Sequence, residues 1–246
     1  MTQSLTGGPN IMNTQHKTLL VSFSCALTLT ACGGGGGNTP APVASDASFN
    51  LQSAQRSEFV TPSVRNFSVS GTSNGFAVTG SGIETAGSVT AGTFEGTAAL
   101  QRTTTVSGSV VVNGITLPLA SSATDWTDTN YVPKGSASTS EYTVIQGTPT
   151  IPTAARVGDL GTLFTATRYA DSTRTGLIGT MRTTYSLAAD TATTALVSVT
   201  SLYYSASGAH TRTVSRQYRI NTSNQLTPVL VSDVDFTSNL NLLLQY

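Results

Sequence analysis

Several small groups of residues in this chain have side chains whose chemistry and spacing could form a site. Asp125, Trp126 and Asp128 fall within four positions, with Tyr131 and Tyr142 downstream. An indole flanked by carboxylates can stack on a sugar ring and bind its hydroxyls, or the acids can hold a calcium ion. A Trp filling the end of an apolar core between two turn-forming acids gives the same pattern. Asp125, Trp126, Asp128 and Tyr131 are therefore the candidate ligand patch. Asp233 and Asp235 stand two apart, about 6.6 Å along a strand, a spacing that suits paired glycosidase carboxylates. Their neighbours Val234 and Phe236 continue an apolar alternation, which places the two acids in solvent. His210 is the only histidine after the N-terminal segment, so any Ser-His-Asp or histidine–metal system would need it. It follows Ser207, Gly208 and Ala209, a hairpin tip where a catalytic base is poorly held. Arg168, Asp171 and Arg174 around Tyr169 read as a surface ion-pair cluster of small energetic worth. No group makes a catalytic constellation, so the expectation is a protein without enzymatic activity, metal or cofactor.

Composition narrows the partners. Charged residues are 10% of the 246, against about 25% in an ordinary soluble domain, and Thr, Ser, Gly, Val and Ala take their place. The formal charge is zero, which leaves no electrostatic footprint for nucleic acid. The two cysteines, Cys25 and Cys32, both lie near the N-terminus. The rest of the chain therefore has no thiol for a disulfide, a zinc site or a cysteine nucleophile.

Residues 12–32 read MNTQHKTLLVSFSCALTLTAC. Lys17 supplies a positive start, and an apolar run of about a dozen residues follows, the length of an export signal and too short to span a bilayer. Met1 and the ten residues after it carry no positive charge, so the signal reads as starting at Met12. Leu29, Thr30, Ala31 and Cys32 then match the lipobox of bacterial lipoproteins, and the N-terminal region resembles that family. The resemblance implies removal of residues 1–31, acylation of Cys32 and anchoring of the finished chain in a membrane. Acyl chains contribute about 0.8 kcal/mol per buried CH₂, which makes attachment through several of them effectively permanent. Gly33 follows in place of the Asp that commonly retains such proteins at the inner membrane, so the resemblance implies the outer membrane. Beyond the lipobox the chain is similar only to uncharacterised lipoproteins with a Cys-Gly-run linker.

Residues 32–47 read as a linker, with five glycines and then Pro40 and Pro42, a composition that cannot fold. Residues 48–59 have helical spacing, with Pro62 as a stop. From Phe67 onward the chain reads as strands. A β-branched run over 103–112 leads into Asn113-Gly114, a type I′ turn signal, and a second strand over 115–119 whose Pro118 indicates an edge. Pro149 and Pro152 mark the candidate boundary between an N-terminal β region, 48–148, and a C-terminal one, 149–246. The latter reads as six antiparallel strands over 163–169, 178–187, 196–204, 211–220, 226–236 and 240–246. Even positions from Val214 to Tyr246, including Leu230, Val234 and Phe236, form the expected buried face. The expected fold is all-β: antiparallel meander strands forming a sandwich or a partly closed barrel, in one or two subdomains. The apolar ending 240–246 also resembles the last strand of outer-membrane barrels, but the other strands lack a continuous lipid-facing band.

These observations give three expectations of different class. The first is a membrane-anchored accessory lipoprotein that binds a protein or glycan partner, or gives structural support. The second is a carrier that holds a lipid or acyl chain in a curved sheet, which requires an apolar cavity of a few hundred Å³. The third is a glycan-acting hydrolase, which requires two of Asp125, Asp128, Asp233 and Asp235 to converge in one cleft.

Overall fold

The computed structural model describes residues 41–246, so the leader, Cys32 and the glycine run lie outside the described residues. A helix α1 (Leu51–Val60) precedes β1 (Ser63–Ser73), β2 (Phe76–Ala86), β3 (Thr90–Phe94), β4 (Thr97–Val112), β5 (Ile115–Thr127), β6 (Pro133–Ser138) and β7 (Tyr142–Gln146). Then come β8 (Leu160–Tyr169), β9 (Leu177–Thr191), β10 (Thr194–Ser205), β11 (His210–Asn221), β12 (Leu226–Asp235) and β13 (Leu240–Gln245). The helix and the six-strand meander match the sequence expectation to within a few residues. The Asn113-Gly114 turn forms with both residues at positive φ, 51° and 77°.

Every strand pairs antiparallel with its neighbours, and two long-range pairings bend the sheet into a ring. β13 pairs with β1, and β2 skips β3 to pair with β4 from Val78↔Val112 to Ala86↔Thr104. The all-β expectation is met by the barrel alternative: a closed ring of twelve strands, with β3 attached to the free end of β4. β6 pairs with β5 only from Ala123 to Thr127. Pro118 thus lies on a stretch of β5 with one strand neighbour, where its missing N–H leaves no ladder bond unmade.

One core cluster joins Phe67, Val69 and Val78 of the first two strands to Ala166, Met181, Tyr203, Val214, Val231 and Leu242 of the later ones. Residues on both sides of 148–152 therefore share one interior, and the expected boundary is a loop between β7 and β8 of one ring. A second cluster gathers Phe49, Leu51 and Ala54 with Leu187, Val197 and Ile220, seating α1 against the barrel wall. Outward positions are dominated by hydroxyls, among them Ser68, Ser70, Thr79, Ser81, Thr105 and Ser107. This is not the continuous apolar band that a bilayer-spanning barrel presents.

The expected buried face fails in β12. Asp233 is 0% and Asp235 7% exposed, whereas Phe236 is 53% exposed. The cause is a bulge: Tyr218 pairs with Pro228 but Gln217 pairs with Leu230, leaving Val229 as an extra residue. One extra residue moves every later side chain to the other face of the sheet. Even positions face inward before Val229, as at Leu226, and odd ones after it, as at Val231 and Asp233.

Candidate functional site

Between α1 and the barrel wall lies a cavity of about 350 Å³. Strand alternation creates it: Val106 of β4, Ile145 of β7, Phe164 of β8, Met181 of β9 and Val199 of β10 point inward and line it with apolar surface. Helix α1 closes one side with Leu51, Ala54 and Phe59, each under 10% exposed. Three sets of bonds fix that helix. Asn50 caps its start by accepting the Ser53 N–H at 2.8 Å, and its own N–H reaches Asn224 Oδ1 at 2.7 Å. At the other end the Arg102 guanidinium donates to the carbonyls of Glu58 and Phe59, where a cation favours the helix dipole.

A polar patch interrupts the apolar lining. Glu58 and Arg65 form a two-pronged pair at 2.7 and 2.9 Å. Glu84, 4% exposed, accepts the Tyr246 hydroxyl at 2.9 Å and lies 3.7 Å from both Arg65 and Arg216. Arg216 is held less tightly. Its nearest contacts are the Tyr218 hydroxyl at 3.4 Å and Glu84 at 3.7 Å, and its Nε has no partner among the described residues. Its side chain keeps 30% of its surface uncovered. Arg216 alternates inward with Val214 and Ile220 and lines the cavity.

Burial sets the ionisation in this patch. It pushes the Asp125 carboxyl up, more than the Arg102 and Arg216 charges draw it down. Burial raises the Tyr218 hydroxyl against the pull of Arg216, and it raises the Tyr246 hydroxyl too. Burial opposes the Arg216 charge, but Tyr218 and Glu84 outweigh it and hold the guanidinium above its ordinary range.

The candidate ligand patch is only partly brought together. Asp125 points into the cavity. Trp126, next along β5, borders the cavity as well but turns its ring to Phe94 at 5.2 Å, which in turn stacks on Tyr142 at 5.5 Å. The β3–β4 hairpin thus covers this patch of the outer wall with a small apolar cluster of its own. Asp128 closes the β5–β6 turn by accepting the N–H groups of Asn130 and Val132 at 2.8 and 2.9 Å. Tyr131 packs edge-on to Phe59 at 6.3 Å, with Arg56 4.5 Å above its ring.

The remaining candidates also disperse. Asp233 pairs with Arg212 through two bonds of 2.7 and 2.6 Å, and Asp235 accepts from Thr237 and Ser238 in the turn after β12. A hydrolase would need two of Asp125, Asp128, Asp233 and Asp235 together, and of these four only Asp125 lines the cavity. His210 opens β11 with its ring between Tyr204 and Phe236 and its Nε2 3.0 Å from Thr213 Oγ1. The expected surface cluster is corrected as well. Arg168 is 8% exposed, turns inward to Glu141 at 2.6 and 2.8 Å and lies 4.6 Å over Tyr203. Arg174 pairs with Glu95, and Asp171 holds Thr173 in its own turn. Arg168 escapes the surface reading because its carboxylate, Glu141, stands immediately before the neighbouring strand β7, and Asp233 likewise meets Arg212 on the adjacent β11, pairings that no spacing along one strand encodes.

Sequence reasoning missed Glu84, Arg216 and Tyr218 as a site. A signal existed for Arg216: it occupies an even position between Val214 and Tyr218, on the face read as buried. Among the described residues, no three of His, Cys, Asp and Glu gather as a metal site. In comparisons with protein families, curated proteins and solved structures, none matches this chain.

Proposed function

We propose that this chain is an exported lipoprotein, tethered at Cys32, whose barrel carries a lipid or acyl chain. The observation that supports it is the cavity of about 350 Å³, apolar over most of its wall and in the size range of small-ligand sites, about 300–1,000 Å³. A carrier needs apolar surface without free reacting groups, and three of the acids that line the cavity are engaged by the protein itself: Glu58 by Arg65, Glu84 by Tyr246 and Glu141 by Arg168. The acylated cysteine and the glycine-rich linker would hold the barrel near a membrane, the source or destination of such a ligand. In this reading the protein is not an enzyme, and its partners are the outer membrane and the carried lipid.

Native mass spectrometry of protein extracted from membranes tests both parts at once. The expected result is a chain beginning at an acyl-bearing Cys32 with a lipid mass bound non-covalently. Ala123→Trp, which places an indole in the cavity from β5, should abolish the bound mass while leaving the acylation. A barrel that never carries or takes up lipid, from membranes or from added fatty acid, would sink the carrier reading.

A further inference from the structure

We infer that the cavity recognises an amphiphile by an anionic head, with Arg216 receiving a carboxylate and the apolar wall receiving its chain. This rests on the carrier reading and specifies its ligand. The inference starts from an asymmetry among the inward-facing arginines. Arg65, Arg168 and Arg212 each grip a carboxylate through two bonds of 2.6–2.9 Å. Arg102 is committed to the end of α1.

Arg216 alone among these five has neither arrangement; its Nε, like that of Arg102, is without a hydrogen-bond partner among the described residues. A charge enclosed by protein with unmade hydrogen bonds is expensive to keep. A guanidinium presents its donors as a planar fork that matches a carboxylate. A ligand carboxylate entering the cavity would therefore satisfy donors that the protein leaves open.

The surroundings select the charge state. Glu84 is already flanked by Arg65 and Arg216 and bonded by Tyr246, so a doubly charged head such as a phosphate would meet repulsion from it. Asp125 is the acid that burial drives towards its protonated form. That direction lessens the repulsion that a singly charged carboxylate would meet from Asp125.

The experiment is equilibrium binding of dodecanoate, dodecanol and dodecylamine to the full barrel and to Arg216→Gln. Charge-assisted hydrogen bonds predict that the unmodified barrel binds dodecanoate about tenfold or more tighter than dodecanol. Arg216→Gln should erase that preference while dodecanol binding persists. If the unmodified barrel binds acid and alcohol equally, or prefers the amine, head-group recognition by Arg216 is overturned and the carrier reading survives. If it binds none of the three, both fall. An acid preference that persists in Arg216→Gln would also overturn the assignment, and if that variant fails to fold, Arg216→Lys, which keeps the charge but not the planar fork, should weaken the preference.

Discussion

Asp233 shows what a single buried charge does in this barrel. It is fully buried, and its two bonds to Arg212 outweigh the burial that opposes the arginine's charge. Removing one partner of such a pair leaves the other uncompensated, at about 3–5 kcal/mol. Asp233→Ala is expected to lower unfolding free energy by about that amount in urea titration. The double change Arg212→Met with Asp233→Leu should recover most of it, because two apolar groups leave no orphaned charge. A loss below about 1 kcal/mol for the single change would mean that water reaches Arg212. At this scale the sequence was partly legible. Asp125, singled out for a ligand patch, lines the cavity, whereas Asp128 of the same patch is taken up by its own turn. Asp233 was misplaced because the bulge at Val229 inverts the alternation on which its placement relied.

The elements that follow from local pattern are the ones the sequence reveals. β-Branched runs, the Asn113-Gly114 turn and short polar connections specify the meander, since each strand pairs with the next along the chain. The pairings that close the ring have no such local signature. β2 reaches β4 across the intervening β3, and β1 meets β13 from the far end of the described chain. The first seam depends on close approach of backbones. A Cβ added at Gly108 of β4 would lie 2.3 Å from the Ser81 carbonyl oxygen and 2.6 Å from the Gly82 Cα on β2. Neither neighbour can move without shifting a strand. Gly108→Ala is therefore expected to reduce stability by about 1–3 kcal/mol, the usual effect of overpacking. Ser109→Ala, on the exposed side of the same strand, should stay within about 0.5 kcal/mol. Equal effects in thermal or denaturant melts would show that the seam tolerates separation.

For the molecule as a whole, the central question is whether the ring unfolds as one unit. The proline-rich stretch 148–152 looks like a border between halves, and the halves do differ in how clearly their strands read. Physically, however, the two larger core clusters each draw on both halves. Phe67, Val69 and Val78 pack in the same cluster as Met181, Tyr203 and Val231. Helix α1 comes from the first half, while Leu187, Val197 and Ile220, which receive it, come from the second. Separating the halves would also strip β1 from β13 and β7 from β8, leaving four strand edges without partners and a cavity open on one side. Differential scanning calorimetry of residues 41–246 should therefore give one transition, with calorimetric and van't Hoff enthalpies in agreement. Residues 41–148 and 149–246, made separately, should each lack cooperative unfolding. Two resolved transitions would mean that the shared interior is too weakly packed to couple the halves. The cavity would then be the place where they part, because it removes from the centre of the barrel the contacts that would otherwise bind one half to the other.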